Sequence, residues 1–452
     1  EDLATACAAL DCRVLVTEDC HGPEALEFVR SLGPDLGLVY GTRILKRELF
    51  GIPRLGSINI HKRKVPDYRG GGPVGLWELL DGAPEIGVTV HGVVEQVDAG
   101  AIIHAETIPI HDHDTLTSLA LKAHVVGNDL LVRAVADYAR GTVQPQVQEG
   151  QGRTFRSPAP PQLMRLEKEL AARRPAFRAE RSRPIPKLLV RTVLGLPIAA
   201  IRNRIRRRRG QFPVTILFHH IVGDRPHPFA ISTEHFLKHV EFLRRHYDVV
   251  SLAEAIDLLK TNRVTAPTVV LTIDDGYQDN FLPLRAIRER VDVPITLFVS
   301  TEHVGKGTEF AHDVASGRHG FAPLTWAQLA QLRREGVEIG SHTRTHFDCG
   351  SSDAVALHGE IVGSSQDLET ELGEPATLFA FPFGLPANIS PEAMRLATST
   401  YGWVLSAYGG SNFASAPRAN HLRRWAYRND LWELELLLQS LLELEPRADA
   451  AA

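Results

Sequence analysis

The sequence predicts two α/β domains in tandem, the second of them a (β/α) barrel. Three observations predict this. Short apolar runs alternate with helical patterns over residues 1–145, and again over 213–436. Between these stretches the composition shifts to Gln, Pro and Gly and then to Arg and Lys, as in a linker. The length of 452 residues suits two or three domains.

In the first domain, Pro23 to Leu32 reads as a helix that leads into a buried strand, Leu36 to Tyr40. Gly56 to Ile60 reads as a second buried strand, and the alternation implies a largely parallel sheet. Thr115 to Tyr138 is a long helical pattern, ended by Gly141. Residues 146–212 are the expected linker, closing on Arg206 to Arg209. Within it, Leu188 to Ile201 is apolar but too short, and too interrupted by Arg191, to span a bilayer. Two readings stay open: an interfacial helix docking on anionic lipid through 188–209, and a solvated linker helix packed on one domain.

In the second domain, strands are expected at Val214–Phe218, Val269–Ile273, Ile295–Val299, Val337–Gly340, Leu378–Phe381 and Trp403–Leu405. Phe236–Arg245, Leu252–Leu259 and Ala327–Glu335 read as helices. Repeated β-then-α units in this number suit a barrel better than a short open sheet. Residues 437–452 form a tail whose polar, Ala-rich end from Glu445 is expected to fray.

The apolar fraction of 44 % and charged fraction of 23 % are those of globular protein and exclude disorder of the whole chain. A net charge of −4 gives no general pull toward nucleic acid. The four cysteines, Cys7, Cys12, Cys20 and Cys349, form no C-x-x-C pair. This argues against a disulfide framework and for a reducing compartment, and no paired spacing supports a zinc site on the first three. No signal peptide or membrane-spanning run is visible in a chain that begins at Glu1.

The strongest chemistry is Thr272-Ile-Asp-Asp-Gly276, where two adjacent carboxylates follow an apolar strand and precede a glycine. A second strand runs into Ser341-His-Thr-Arg-Thr-His346, and on a helical turn that spacing puts both imidazoles on one face. Two imidazoles and one carboxylate leave a coordination position for water, the catalytic arrangement rather than the closed structural one. Zinc is favoured by this set, although other divalent ions fit it. One aspartate can bind the metal while the other takes a proton from water. The bland alternative is a pair of exposed loop histidines and a helix-capping Asp-Asp.

These residues resemble the NodB-like polysaccharide deacetylases, together with Tyr277-Gln-Asp-Asn280, Val293-Pro-Ile-Thr-Leu-Phe-Val299, Phe379-Ala-Phe-Pro-Phe-Gly384 and His219-His220. The resemblance covers about 220 residues. It implies a distorted (β/α) barrel with one divalent metal, Asp274 as general base, and Asp275, His342 and His346 as metal ligands. Pro382, Phe383 and Gly384 would shape the substrate groove, beside His220. Two departures stand out. Ala380 and Phe381 occupy the stretch where many members carry an Arg, and Leu422-Arg-Arg424 replaces a late Leu-x-His that supplies a general acid. His220 and His421 are the candidates for that acid.

In the first domain, Ser57-Ile-Asn-Ile-His61 is followed by Val65-Pro-Asp-Tyr-Arg-Gly-Gly-Gly-Pro73, Trp77 to Gly82, Ile86 to His91 and Val97 to Ile102. An Asn, a His and an Asp could together transfer a one-carbon acyl group to an amine. Asn59 would steady the oxyanion, and His61, oriented by Asp98, would move the amine proton. A structural histidine is the bland alternative. The order of segments resembles the formyltransferase family, of which the methionyl-tRNA formyltransferases are members, over about residues 1–140. This implies 10-formyltetrahydrofolate as cofactor, Asn59, His61 and Asp98 as the catalytic trio, and Pro66, Tyr68, Arg69, Gly70 and Gly71 along the cofactor loop. Lys62-Arg-Lys-Val-Pro66 departs from the Pro-Ser-Leu-Leu-Pro of many members. Several α/β units that precede Leu36 in this family are missing, so the expected fold is a partial Rossmann-like domain, truncated at its start.

The expected function is therefore metal-dependent hydrolysis of an N-acetyl or N-formyl amide on an amino sugar or polysaccharide, fused to a formyltransferase acting on an amine. The expected substrates include lipid-linked sugars, with no nucleic acid, and the setting is cytoplasmic, at the inner membrane face. Three alternatives accompany this reading: a deacetylase with a non-catalytic formyltransferase-like module, methionyl-tRNA formylation by the first half, and a binding protein with two dead sites.

Overall fold

The computed structural model describes Cys7, Leu10, residues 12–414 and residues 420–439. The chain divides into two compact units, Glu1–His111 with Thr115–Arg174, and Asp112–Asp114 with Pro175–Ala452. The 146–212 stretch expected as a linker is largely helical. Pro160–Arg173 is a helix of the first unit and Ile185–Arg208 a helix of the second. Of the expected tail, Leu437 and Leu438 end the helix Leu431–Leu438, and residues 440–452 lie outside the described residues.

The strands of the first unit are β1 (Gly37–Val39), β2 (Ser57–His61), β3 (Tyr68–Gly70), β4 (Glu85–Gly92), β5 (Ile102–Pro109) and β6 (Arg153–Phe155). Its main sheet has the order β1-β2-β4-β5, while β3 and β6 pair apart. Here the structure corrects the expected largely parallel sheet: β1 and β2 run parallel, but β2–β4 and β4–β5 are antiparallel. The reason is burial. Ile86 to His91 is covered on both faces, so its apolar run carries no alternation that would report the direction of its neighbours. Helix Leu116–Arg140 starts on a capping box between Thr115 and Ser118 and ends at Gly141, with φ 69°. It buries Leu119, Ala123, Val126, Leu130 and Ala134, an i, i+3/i+4 stripe.

In the second unit the strands are β7 (Val214–His219), β8 (Ile221–Val222), β9 (Ala230–Ile231), β10 (Asp248–Val249), β11 (Thr268–Ile273), β12 (Thr296–Val299), β13 (Glu338–Ser341), β14 (Leu378–Ala380), β15 (Trp403–Ser406) and β16 (His421–Ala426). Seven of them, β7 and β11 to β16, close a ring in which every pairing is parallel. β16 closes the ring against β7 and was not among the expected strands, because His421-Leu-Arg-Arg-Trp-Ala426 carries too much charge to read as buried.

Alternation along the strands sorts side chains inward and outward. Ile216, Val270, Phe298, Ala380, Leu405 and Leu422 face inward and form one core cluster, with Leu252 and Ile256 of helix Leu252–Lys260 packed into it. The same parity, carried to the carboxyl ends of the strands, gives His220, Asp274, His342, Pro382 and Arg424. The fold therefore stacks an apolar plug beneath a polar layer at the end of the barrel where such folds place their chemistry.

Candidate functional sites

In the second unit, β11 delivers Asp274 and Asp275 and β13 delivers His342. Asp274 donates its amide to the His219 carbonyl (2.8 Å), which ties the β11 end to β7. Asp275 adopts φ 71° and Gly276 φ 89°. A Cβ on Gly276 would lie 2.9 Å from Val299 Cγ1, so the sharp turn there requires glycine. The histidine turn differs from the expected helical turn. Thr343 and His346 have φ 63° and 56°, and no helix forms. The turn is held instead by Glu360, whose carboxylate accepts the amides of Arg344 and Thr345, both at 2.9 Å. Phe383 is also left-handed, φ 58°, with its ring 4.8 Å from that of His346. Four non-glycine residues with positive φ thus surround one point, the pattern of a functional site.

The point is a cation-shaped one. The ligand atoms of Asp275, His342 and His346 lie within 4.8 Å of one another. Asp275 Oδ1 is 3.5 Å from His342 Nε2 and 3.3 Å from His346 Nε2. It is buried without a hydrogen-bond partner, a costly state for a carboxylate unless a cation sits against it. His342 donates Nδ1–H to the Ala380 carbonyl (2.7 Å), which leaves the Nε2 lone pair facing Asp275. Burial holds His342 and His346 below the usual imidazole range and therefore neutral, as ligands must be. Burial, with Asp274 and Asp313 nearby, pushes Asp275 well above the usual carboxylate range. The residues fit a divalent cation. Among the described residues this is the cluster with that geometry, and Cys7, Cys12 and Cys20 are free thiols.

Asp274 is differently placed. Burial pushes its carboxyl up, but Arg424 outweighs this and brings it below the usual range. Arg424 Nη1 donates to Asp274 Oδ1 at 2.6 Å and to Thr272 Oγ1 at 3.1 Å, in full burial. The sequence showed residues 423–424 only as a missing histidine. The structure shows Arg424 as a cation facing Asp274, placed there by β16, a strand the sequence pattern concealed. His421, three positions earlier, has the opposite parity. It lies against Ser406 Oγ (2.8 Å) and the Tyr408 ring on the outer side, away from the metal cluster, so the structure removes it as the acid candidate. His220 lies on the inward side, and its backbone carbonyl accepts from Asn280 Nδ2 at 2.8 Å. Burial pushes its ring down to about 3. Sequence reasoning also missed His312, whose ring is 5.5 Å from that of His346, and buried Asp313, which accepts from Tyr277 (2.7 Å) and His227 (2.9 Å).

In the first unit, β2 carries Asn59 and His61, and Asp98 (φ 51°) faces them from the loop after β4. Asp98 Oδ2 is 3.5 Å from His61 Nδ1 and accepts the Gly70 amide at 2.9 Å, while Asn59 Nδ2 is 3.5 Å from Asp98 Oδ1. His61 Nε2 meets the Tyr68 carbonyl at 2.9 Å. His91, quoted within a segment but not singled out by the sequence, joins the group, 3.4 Å from Asp98 Oδ1 and 3.3 Å from Asn59 Nδ2. Burial pushes His61 below its ordinary value, against the pull of Asp98. Burial pushes Asp98 up, but His91, His61 and the Gly70 amide together bring it below the usual range.

Asn59, His61, Gly70, Gly71, His91 and Asp98 line a cavity of about 610 Å³. Pro66, Tyr68 and Arg69 are not among its lining residues. Tyr68 donates its hydroxyl to Asp81 (2.9 Å), and the Arg69 guanidinium is held by Gln148 (2.7 Å). The departure at Lys62-Arg-Lys has a structural use. Arg63 is buried against Glu78 (2.7 Å) and donates to the Gly72 carbonyl (3.0 Å), which fixes the glycine run.

The two units match two different families. Residues 13–135 match the formyl transferase family model, and residues 261–402 match the polysaccharide deacetylase family model. The chain joins a formyltransferase-like domain to a polysaccharide-deacetylase-like domain. It is 37 % identical to a methionyl-tRNA formyltransferase of Roseiflexus sp. over 31 % of the chain and 44 % of the relative. It is 33 % identical to that of Roseiflexus castenholzii over 43 % of the chain and 62 % of the relative. The chain thus spans less than two thirds of the length of these curated relatives. Among solved structures, the Streptococcus pyogenes deacetylase PplD aligns with 51 % of this chain and 98 % of its own, at 19 % identity and a TM-score of 0.42. The formyltransferase PseJ from Anoxybacillus kamchatkensis aligns with 34 % of this chain and 82 % of its own, at 19 % identity and a TM-score of 0.30.

Proposed function

We propose that the chain makes and breaks amides on amino sugars, with a formyltransferase domain over 1–145 and a deacylase domain over 213–436. The observation that carries this is the convergence of Asp275, His342 and His346 on an unpaired buried carboxylate oxygen, beside an Asp274 fixed by Arg424. Asp275, His342 and His346 would hold a divalent cation, with zinc favoured by the donors. When bound, such a cation polarises the amide carbonyl and acidifies a water. Asp274, kept anionic and aimed by Arg424, takes the proton as the water oxygen bonds to the acyl carbon. The C–N bond then breaks. Asp274 returns its proton to the leaving nitrogen, because burial keeps the neighbouring His220 neutral. His220, Pro382, Phe383 and Gly384 bound the place of the sugar, with exposed Phe383 offering an apolar face to it.

In the first domain, 10-formyltetrahydrofolate would supply the formyl group to the cavity beside Gly70 and Gly71. His61, held neutral, would take the proton of the attacking amine at Nε2 once the amine replaces the Tyr68 carbonyl there. Asp98 orients His61, and the Asn59 amide donates to the oxyanion of the tetrahedral intermediate. Folate chemistry and the low cysteine count support a cytoplasmic setting. At the inner membrane face an amino sugar on a lipid carrier would be within reach, with the 188–209 segment toward the membrane. The names of the curated relatives favour a second reading for this domain, formylation of methionyl-tRNA.

The deciding experiment measures amine release from N-acetyl and N-formyl amino sugars by metal-loaded protein, chelated protein and Asp275→Asn. Release that needs both the metal and Asp275 is expected. Release unaffected by either would refute the proposed metal site, and no release with no metal bound would refute the deacylase. Formyl transfer to an amino sugar, lost in Asn59→Ala and Asp98→Asn, tests the first domain. Transfer to methionyl-tRNA alone would favour the second reading.

A further inference from the structure

We infer that helix Ile185–Arg208 seats on an anionic bilayer surface through the side it turns away from the barrel. The helix is fixed to the second unit along one stripe. Leu188 and Ala199 are buried, Arg202 donates to the Gln439 carbonyl (2.9 Å), Asn203 meets the Gln439 side chain (3.3 Å), and the Arg206 guanidinium lies over the Phe413 ring (5.0 Å). Its amino end is held by Glu433, which accepts the amides of Ser182 and Arg183, both at 3.1 Å. At about 100° per residue these anchors occupy one side of the helix.

The opposite side should then be polar, as on an ordinary surface helix. It is not. Leu189, Val190, Val193, Leu194, Ile198 and Ile201 are between 49 % and 68 % exposed. On the helical wheel they share the outward arc with the prolines of this segment, and between Leu188 and Ile201 the sole charged residue is Arg191, which leans toward the anchored side. The anchored stripe is mixed, Leu188 and Ala199 with Arg202, Asn203 and Arg206, and the outer arc is the apolar one. Six exposed aliphatic side chains sharing one arc form an apolar patch of the kind that marks an interaction surface.

Charge identifies the occupant. The apolar arc runs directly into exposed Arg204, Arg207, Arg208 and Arg209. Acidic residues are absent from residues 181–210. An apolar arc bordered by clustered arginines complements a bilayer, whose acyl region takes the aliphatic side chains while its headgroup phosphates take the guanidinium groups. A protein groove would match the apolar part but has no general reason to supply a dense anionic border. From Leu189 to Ile201 the arc is about 20 Å long at roughly 1.5 Å per residue, shorter than the hydrocarbon core. Among the described residues no helix is long and apolar enough to cross a membrane. The helix therefore lies on the surface rather than across it. This names the surface that the proposed inner-membrane setting requires and rests on that setting, not on either reaction.

The test is sedimentation of the full chain with phosphatidylcholine vesicles, either pure or with about a third of the lipid as phosphatidylglycerol. The expected result is binding to the anionic vesicles that weakens with salt, and little to the neutral ones. Val193→Asp with Leu194→Asp, and separately Arg207→Glu with Arg208→Glu, should each reduce that binding roughly tenfold or more. Both exposed pairs should leave melting and amine release unchanged, so failed vesicle binding is distinguishable from a failed deacylase. Absent binding by the wild type, or equal binding by the variants, would overturn the inference. So would a wild-type dimer that either variant dissociates, since a second copy would then be the occupant.

Discussion

Asp275 sits in unfavourable electrostatics, and this makes its role measurable. Its carboxylate is buried beside Asp274 with Oδ1 unpaired, so in chelated protein Asp275→Asn should raise stability by about 1–3 kcal/mol. In metal-loaded protein the same change should lower it and weaken metal affinity about 100-fold, read by melting and by metal titration. Arg424 is the converse case. Arg424→Met would strand a buried Asp274 anion and should cost about 3–5 kcal/mol, with Arg424→Lys recovering part of that in a denaturant titration. Asp274, Asp275 and His342 were legible in the sequence because they follow apolar strands, and His346 because it stands four residues after His342. Arg424 was not, since an arginine in a charged segment looks solvated until its strand is paired on both sides.

Strand parity explains more than strand count. Gly340 sits on an ordinary strand with no unusual φ, yet a Cβ there would lie 2.5 Å from Phe298 Cε1 and 3.0 Å from the Leu378 carbonyl oxygen. Gly340→Ala should therefore cost about 2 kcal/mol or more and disturb His342, two residues on, seen as weaker metal binding at unchanged ligand identity. The six expected barrel strands all form, because Val, Ile, Leu and Phe buried on a parallel sheet give continuous apolar runs. The strand that closes the ring was hidden for the opposite reason, since inward Leu422 is followed by Arg423 and by Arg424, which enters the polar layer. In the first unit the direction of β4 was illegible, because direction is decided by the partner strands and not by its own residues.

Across the whole molecule, two separately built units should respond separately. Chelation is expected to lower the melting transition of the second unit and leave that of the first in place, a difference calorimetry would resolve. Acid should act on the second unit through buried histidines. Burial brings His219 and His239 down to about 4 in the folded state, below the unfolded value of 6.5. The unfolded chain binds more protons between those values, so stability is full above pH 6.5 and falls as the pH drops toward 4. The loss is on the order of 3 kcal/mol for each residue, measurable by denaturant titration across that range. The order of residues exposed the two α/β domains and the Asp-Asp and His-x-x-x-His pair, and the resemblance to the formyltransferase family pointed to Asn59, His61 and Asp98. The domains and the Asp-Asp and His-x-x-x-His pair depend on local runs and short spacings, which periodicity and residue chemistry expose. Only the packed chain shows that Arg424 meets Asp274 over the intervening strand β7, that His421 faces away, that His91 joins Asp98, and that one face of Ile185–Arg208 is left uncovered. Each of these depends on which distant segments are brought together, and burial and pairing between distant segments leave no local mark in the order of residues.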